Sequence, residues 1–164
     1  MKQTICILLG VILLVSSVHA QSETGSTEKA SKSVYGEFGG SGILFSANFD
    51  SRFKGAKGFG FRLGIGGAGG TGGGIITFPF GLNVLAGKGP HYFEGGLTAT
   101  FLTGTGDLSF GDNNASTFIF MPHFGYRYSK PSNSFNGRIY VGPLIFDGAF
   151  FFPFGGLSVG YTFN

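Results

Sequence analysis

The sequence contains one cysteine and no tryptophan among its 164 residues. The cysteine, Cys6, lies in the first twenty residues, and without that leader the chain has no disulfide, no thiol chemistry and no cysteine metal ligand. Charge is also scarce, because Asp, Glu, Lys and Arg make up 12% of the chain, against roughly 25% in soluble globular proteins. This composition excludes an ordinary charged, water-facing surface.

The formal net charge is small, and removal of Lys2 with the leader lowers it from +3 to +2. No run of basic residues accompanies this charge, so nucleic acid is not an expected partner. Disorder is excluded as well, because 42% of the residues are hydrophobic and 16% are aromatic, far more than a disordered chain contains. Beyond Ser33 no helical period runs for a useful length, which leaves strands and turns.

The first twenty residues, MKQTICILLGVILLVSSVHA, are typical of a secretory signal peptide. One lysine supplies the positive start, residues 5–15 the apolar centre, and Val18-His19-Ala20 the small-residue cleavage site. We therefore predict a signal peptide at 1–20, a flexible periplasmic lead-in at 21–32 and one barrel domain at 33–164. A membrane-anchoring helix is the alternative, but it needs about 20 apolar residues and this run is shorter.

From Ser33 onward the chain divides into segments of about ten residues, bounded by clusters of Gly, Lys, Asn, Asp or Pro, as in barrel-type proteins. Apolar and polar side chains alternate within these segments, which puts them on opposite faces of a sheet. The eight predicted strands are 34–40, 43–53, 58–68, 75–86, 91–103, 117–128, 136–146 and 150–164.

The two faces of these strands differ sharply in charge. In the run ILFSANFDSRF, Ile43 and the three phenylalanines fall on one face, whereas Asp50 and Arg52 fall on the other. Across the strands, no Asp, Glu, Lys or Arg falls on the apolar face, and all four arginines fall on the polar one. A water-facing sheet would carry many lysines and glutamates, so this Gly-rich polar face favours a narrow lumen, with lipid against the phenylalanines.

Eight polar residues are predicted to form a structural network inside this lumen. Counted from the presumed turns, the charged members lie at one level, in the lower half of the barrel. A buried charge needs a partner, because desolvating it alone costs several kcal/mol, so we expect an alternating ring of ion pairs rather than a catalytic or transport site. The predicted network consists of Glu37, Asp50, Arg52, Arg62, Glu94, His123, Arg127 and Arg138.

The runs FGFRLGI and FIFMPHFGYRY and the last strand, LSVGYTFN, carry a family resemblance. With the leader and the strand count, they make residues 34–164 similar to the small outer-membrane β-barrel proteins, the group of the OmpA transmembrane domain and OmpX-like proteins. The resemblance implies an all-β fold, an eight-stranded antiparallel up-and-down transmembrane barrel. It also implies Sec export to the outer membrane of a Gram-negative cell, with both termini in the periplasm.

The same resemblance implies the expected partners, which are outer-membrane lipid, lipopolysaccharide and the barrel-insertion machinery that recognises the last strand. We expect a monomer. With a periplasmic N-terminus, the turns 54–57, 87–90 and 129–134 face the periplasm, and the connections 39–42, 67–74, 104–116 and 147–149 face outward.

Two outward connections are candidates for ligand binding. Residues 103–116 form the one connection long enough for a binding surface. Its Asp107 and Asp112 could bind calcium through their carboxylate oxygens, but their spacing favours a solvated loop. Residues 64–74, GIGGAGGTGGG, contain G-x-G-x-x-G but lack the following helix and the Lys-Ser/Thr of a phosphate loop. We predict a flexible outer loop there.

Four prolines fall inside predicted strands, at Pro79, Pro122, Pro143 and Pro153. Proline cannot donate a hydrogen bond to a neighbouring strand, so bulges or breaks are expected near each of them. In residues 150–154, FFFPF, apolar side chains occupy both parities, and no face can be assigned.

No catalytic group emerges from the pattern. An enzyme acting on lipid needs a nucleophile and a base at the outer rim, whereas His123 lies mid-strand on the lumen face and His91 at a periplasmic turn. Eight strands enclose a space that side chains just fill, which excludes a solute pore.

We therefore expect a non-catalytic outer-membrane barrel with a structural or loop-mediated role, a lumen plugged by ion pairs, and no metal or cofactor. The alternatives are a lipid A-modifying outer-membrane enzyme and a secreted, lipocalin-like barrel that binds an apolar ligand.

Overall fold

The computed structural model describes residues 29–106, 116–130, 134–146 and 149–163. The predicted signal peptide and most of the lead-in lie outside this part of the chain, as do Asp107 and Asp112. The strands are β1 (Lys32–Gly39), β2 (Phe45–Arg52), β3 (Gly58–Gly70), β4 (Gly73–Lys88), β5 (His91–Gly106), β6 (Ser116–Ser129), β7 (Ser134–Phe146) and β8 (Ala149–Phe163).

Each strand pairs antiparallel with the next along the chain, and β1 pairs with β8 to close a barrel. This confirms the predicted eight-stranded, antiparallel, up-and-down fold. Closure leaves no unpaired sheet edge. In the described ranges, no helix is both long and apolar enough to cross a membrane.

Alternation along the strands sets the two faces of the barrel wall. Phe45, Leu82 and Phe93 are 58–61% exposed on the outside, whereas Arg62 and Thr98 are fully buried inside. The predicted parity is therefore confirmed: large apolar side chains cover the exterior, and the acids and arginines of the strands lie within.

The glycine-rich run at 64–74 is not the flexible loop that the sequence suggested. Strands β3 and β4 continue through it, with Gly66 opposite Thr77 and Gly70 opposite Gly73, so only Thr71 and Gly72 make the turn. Position 66 has no room for a side chain, because a Cβ there would lie 2.5 Å from the carbonyl oxygen of Phe45 and 2.6 Å from Thr77 Oγ1. The prediction was wrong because glycine has a low strand propensity. Glycine nevertheless occurs in these strands because the neighbouring strands pack closely here.

The prolines interrupt the strand pairing, as predicted. The β3–β4 ladder has no pairs between Leu63–Phe80 and Gly66–Thr77, a gap that includes Pro79. The β6–β7 ladder is open between Phe120 and Phe124, around Pro122.

A register shift of one residue lies between Gly142 and Leu144 in the β7–β8 pair, at Pro143 and close to Pro153. This bulge explains the ambiguous run at 150–154. The shift pairs Phe154 with Gly142 but Phe151 with Leu144, so alternation fails within the run. Phe150 and Phe151 are both exposed, at 68% and 56%.

The connection between β1 and β2 folds into the barrel, contrary to the outward connection predicted at 39–42. Gly40–Gly42 form a short 3₁₀ turn whose three residues are buried, with positive φ at Gly39 and Gly40. Ile43, predicted to face lipid, has φ 75° and lies partly buried against the interior. Strand β2 therefore begins only at Phe45.

The interior has two levels. Near the 3₁₀ turn it is apolar, and the ion pairs lie below, toward the end where β1 begins. The apolar cluster was not predicted, because both parities are apolar in the strand segments that form it. Its buried members are Leu102, Ile119, Met121, Tyr140 and Leu144, with Ile43, Ile75 and Phe154 packed against them.

Candidate functional site: the polar network of the lumen

All eight predicted network residues lie inside the barrel. Six strands contribute acidic or basic members, and β6 contributes both His123 and Arg127. Each residue is at most 5% exposed, because inward positions of a closed small barrel pack against one another across its axis. The three acids among them are the only Asp and Glu residues within the described ranges.

Asp50 on β2 binds two arginines. Arg52, two residues along the same strand, donates from Nη2 to Asp50 Oδ1 at 2.8 Å. Arg127 on β6 reaches across the barrel and donates from Nη1 to Oδ1 at 3.0 Å and from Nη2 to Oδ2 at 3.1 Å. These bidentate, charge-assisted bonds connect opposite sides of the wall.

Glu94 on β5 also binds two arginines. Arg127 donates to it from Nε at 2.9 Å and from Nη2 at 3.1 Å, and Arg138 donates from Nε at 3.0 Å and from Nη2 at 2.6 Å. Arg127 and Arg138 are direct cross-strand partners, an arrangement in which like charges repel. Glu94 offsets that repulsion by accepting from both.

Glu37 and Arg62 form a separate pair, with Arg62 Nη2 3.0 Å from Glu37 Oε1. The same Nη2 donates to Asn48 Oδ1 at 2.9 Å, and Nη1 lies 3.4 Å from the Tyr140 hydroxyl. Arg62 stands directly opposite Asp50 in the strand register, yet its guanidinium turns toward Glu37. Within the described residues, no ion pair connects this pair to the other five charges.

The predicted alternating ring is therefore wrong in detail. The ion pairs form an open chain, in the order Arg52, Asp50, Arg127, Glu94, Arg138. Tyr35 fills the space between this chain and the Arg62–Glu37 pair. Its ring centroid lies 4.7 Å from Arg138 Cζ and 5.6 Å from Arg62 Cζ, within cation–π range.

Sequence reasoning missed Tyr35, although a signal was present. Tyr35 shares the parity of Glu37 on β1, which assigns it to the lumen face, and it is 4% exposed. Its large ring lies between the guanidinium groups of Arg62 and Arg138. Together the described interior holds four arginines and three acids, so its formal charge is +1 with His123 neutral.

Asn83 on β4 joins the two acids. Its Nδ2 donates to Asp50 Oδ2 at 2.7 Å and to Glu94 Oε1 at 3.1 Å, and its Oδ1 accepts from Arg52 Nη2. One amide thereby satisfies charged groups from two other strands, which lowers the cost of burying them.

His123 lies at the boundary between the polar and apolar levels. Its Nε2 is 3.9 Å from Glu94 Oε1, and its Nδ1 is 3.2 Å from the Met121 carbonyl oxygen. The ring packs on Tyr140 with centroids 4.8 Å apart. The other histidine singled out, His91, lies on the exterior, where its Nδ1 shares a 2.5 Å hydrogen bond with the Tyr126 hydroxyl.

The inward 3₁₀ turn closes over the network. Ser41 N donates to the Tyr140 hydroxyl at 3.1 Å and Ser41 Oγ to Glu37 Oε1 at 3.3 Å. Thr100 Oγ1 donates to Ser41 O at 2.7 Å, and Thr77 Oγ1 to Gly42 O at 3.2 Å. One buried turn is thus bonded to four strands.

A smaller hydroxyl cluster lies at the other end of the lumen. Thr162 Oγ1 is 3.2 Å from Ser33 Oγ, 2.9 Å from Ser129 Oγ and 3.0 Å from Asn136 Nδ2. These residues close the strand ends around β1 and β8 with uncharged groups. Within the described ranges, no three His, Cys, Asp or Glu side chains are grouped as metal ligands.

Comparison with known proteins gives two similar solved structures. The N-terminal β-barrel domain of Pseudomonas aeruginosa OprF is 14% identical, with a TM-score of 0.46, over 82% of this chain and 96% of that domain. Neisserial surface protein A is 11% identical, with a TM-score of 0.49, over 86% of this chain and 99% of that protein. No protein-family model matches the sequence, and no curated protein does.

Proposed function

We propose that this protein is a monomeric integral outer-membrane β-barrel without catalytic activity, whose role is structural or mediated by its outward connections. The observation that carries the proposal is the exterior. Twenty-seven large apolar side chains are exposed on the described part of the chain, and the strands' acids and arginines are all inside. A surface of this kind matches the apolar band of a transmembrane barrel.

The interior argues against the lipocalin-like alternative. A soluble barrel that binds an apolar ligand needs an apolar cavity and a polar exterior. Here the exterior is apolar, and the apolar upper level of the interior is occupied by its own packed side chains. The lumen level that holds Asp50, Glu94 and Arg127 is filled by ion-paired side chains less than 4% exposed. We infer that the lumen is plugged and conducts no solute.

The absence of catalysis rests on the surroundings of the candidate groups. His123 is 5% exposed and contacts Glu94 and the Met121 backbone rather than a nucleophile. A group enclosed in this way has no access to an acyl chain outside the barrel. Contact with outer-membrane lipid and lipopolysaccharide, and insertion by the barrel-insertion machinery, belong to the same proposal.

Cell fractionation with a gel-shift assay tests the location. The mature protein should sediment with outer membranes, require detergent for extraction, and migrate differently before and after heating, because a closed barrel resists unfolding in detergent. Recovery in the soluble periplasm or the medium without detergent would exclude the membrane barrel.

Mass profiling of lipid A tests the absence of catalysis. Cells with and without the protein should give the same number of acyl chains on lipid A. A change in acyl number would support the lipid A-modifying alternative instead.

A further inference from the structure

One end of the barrel exterior carries all the exposed charge of the described chain. The lysines lie at the end where β1 begins and β8 ends, and all of them are exposed. Among the described residues no carboxylate accompanies them, since Glu37, Asp50 and Glu94 are all buried. The described lysines are Lys29, Lys32, Lys54, Lys57, Lys88 and Lys130.

Two of these lysines flank a group of polar aromatic side chains on the outer wall. Lys88 pairs with His91 in the β4–β5 register, and His91 pairs with Tyr128 in the β5–β6 register, so the three lie in one row across three strands. Their parity is that of the outward apolar residues. Lys130 follows Tyr128 by two residues, and Tyr126 precedes it by two.

This row is held in place by specific contacts. The His91 ring lies edge-on to Tyr128, with centroids 5.4 Å apart, and bonds the Tyr126 hydroxyl at 2.5 Å. The Ser129 amide donates to Pro90 O at 2.8 Å. That bond fixes the residue before Lys130 against the turn that follows Lys88.

An apolar groove of about 640 Å³ begins directly above the row. Phe93 and Tyr126, the outward residues one step up the strands from His91 and Tyr128, form its near wall, and Ile139 and Leu157 continue it. Gly155 pairs with Val141 and lies on the outward face. Because it has no side chain, the groove is deeper at this point.

We propose that the row and the groove form one binding site for an anionic phospholipid, which we call the Lys88–Lys130 site. The inference rests on the proposed membrane location. The two lysines and the Tyr128 hydroxyl supply donors for a headgroup phosphate, and an acyl chain fits the groove above. The site faces the leaflet at the end of the barrel where β1 begins and β8 ends.

An anionic lipid fits better than a zwitterionic one because the charged side chains described at the site, Lys88 and Lys130, are both cationic. The described exterior has no carboxylate to pair with a choline or an ethanolamine. A headgroup without a cationic group leaves both lysines free to bind the phosphate. Each protein cation near an anionic lipid adds to the affinity.

Native mass spectrometry of the folded barrel tests the site, with dioleoyl phosphatidylglycerol and dioleoyl phosphatidylcholine as probes that share their acyl chains. Wild type should retain phosphatidylglycerol about tenfold more strongly, and the double variant K88Q/K130Q should lose that preference. The matched control is K54Q/K57Q, which removes the same charge from the β2–β3 turn and should keep it.

Three results would overturn the site. The first is an equal loss of the phosphatidylglycerol preference in both double variants, which indicates a diffuse attraction to the rim. The second is equal retention of the two lipids by wild type. The third is displacement of phosphatidylglycerol by equimolar glycerol 3-phosphate. The heat-dependent gel shift, run on the same samples, separates these failures from failure of the membrane proposal. A barrel that keeps the shift but shows no lipid preference overturns the site alone.

Discussion

Arg138 donates two hydrogen bonds to Glu94, from Nε at 3.0 Å and from Nη2 at 2.6 Å. These bonds cross from β7 to β5 through the barrel interior, past the intervening strand β6. A closed barrel of eight strands is narrow enough for two side chains to span its lumen. The interior is therefore held by contacts between strands that do not share a backbone ladder.

Arg127 is the central cation of the network, and its removal should be costly. Arg127→Met leaves Asp50 and Glu94 each with one arginine partner fewer in a buried site, and the free energy of unfolding should fall by about 3–5 kcal/mol. Urea unfolding of the barrel in lipid vesicles measures it. Lys57→Met, which removes an exposed cation, is the control and should change stability by less than about 0.5 kcal/mol. Equal effects of the two substitutions would contradict a supporting role for the network.

Tyr35 should act through its ring rather than its hydroxyl. Tyr35 Oη is buried without a hydrogen-bond partner among the described residues, so Tyr35→Phe should change stability by less than about 1 kcal/mol. Tyr35→Leu removes the ring that lies between Arg62 and Arg138 and should cost about 1–3 kcal/mol. The same unfolding assay compares them, and a larger loss for the phenylalanine variant would show that the hydroxyl matters.

The inward 3₁₀ turn should require glycine at position 40. Gly40 has φ +63°, and a Cβ there would lie 2.8 Å from Tyr140 Cζ. Gly89 has φ +60°, and a Cβ at that residue would meet no atom within 4 Å, so Gly89→Ala is the matched control. Both substitutions carry the backbone penalty of about 1–2 kcal/mol, and Gly40→Ala should cost about 1–3 kcal/mol more because it overpacks the interior. Similar thermal stabilities for the two variants would argue against a tightly packed turn.

An arginine on the exterior should be tolerated only near the ends of the barrel. Phe80 lies at the middle of β4 and Phe53 next to the β2–β3 turn, at 43% and 62% exposure. Phe80→Arg should cost about 2–4 kcal/mol in a bilayer and Phe53→Arg about 0–1 kcal/mol. Folding into vesicles followed by urea titration checks this difference. If both variants fold equally well, the apolar belt does not contact lipid.

Alternation made the architecture and most of the network predictable. A period of two assigns Asp50, Arg52 and Arg62 to one face without knowledge of their partners, since a strand position decides the direction of a side chain. The partners themselves were not predictable, because they depend on register across strands. Arg62 stands opposite Asp50 yet pairs with Glu37, a choice that depends on space inside the barrel.

The errors fall where glycine replaces the alternating pattern. Residues 39–42 and 64–74 carry few side chains, so parity gives no direction there, and one run folds inward while the other continues as strand. The apolar upper level was hidden for a related reason. Met121 and Ile119 lie between outward phenylalanines, and in such a run the lumen face cannot be separated from the lipid face.

The central claim is that the apolar face of the barrel lies against lipid, and the absence of tryptophan makes a direct measurement simple. Single-tryptophan variants Phe80→Trp and Phe53→Trp are folded into vesicles that contain phospholipid brominated at the middle of its acyl chains. The account predicts strong quenching of tryptophan fluorescence at position 80 and weak quenching at position 53. Equal fluorescence at position 80 with and without bromine would contradict it.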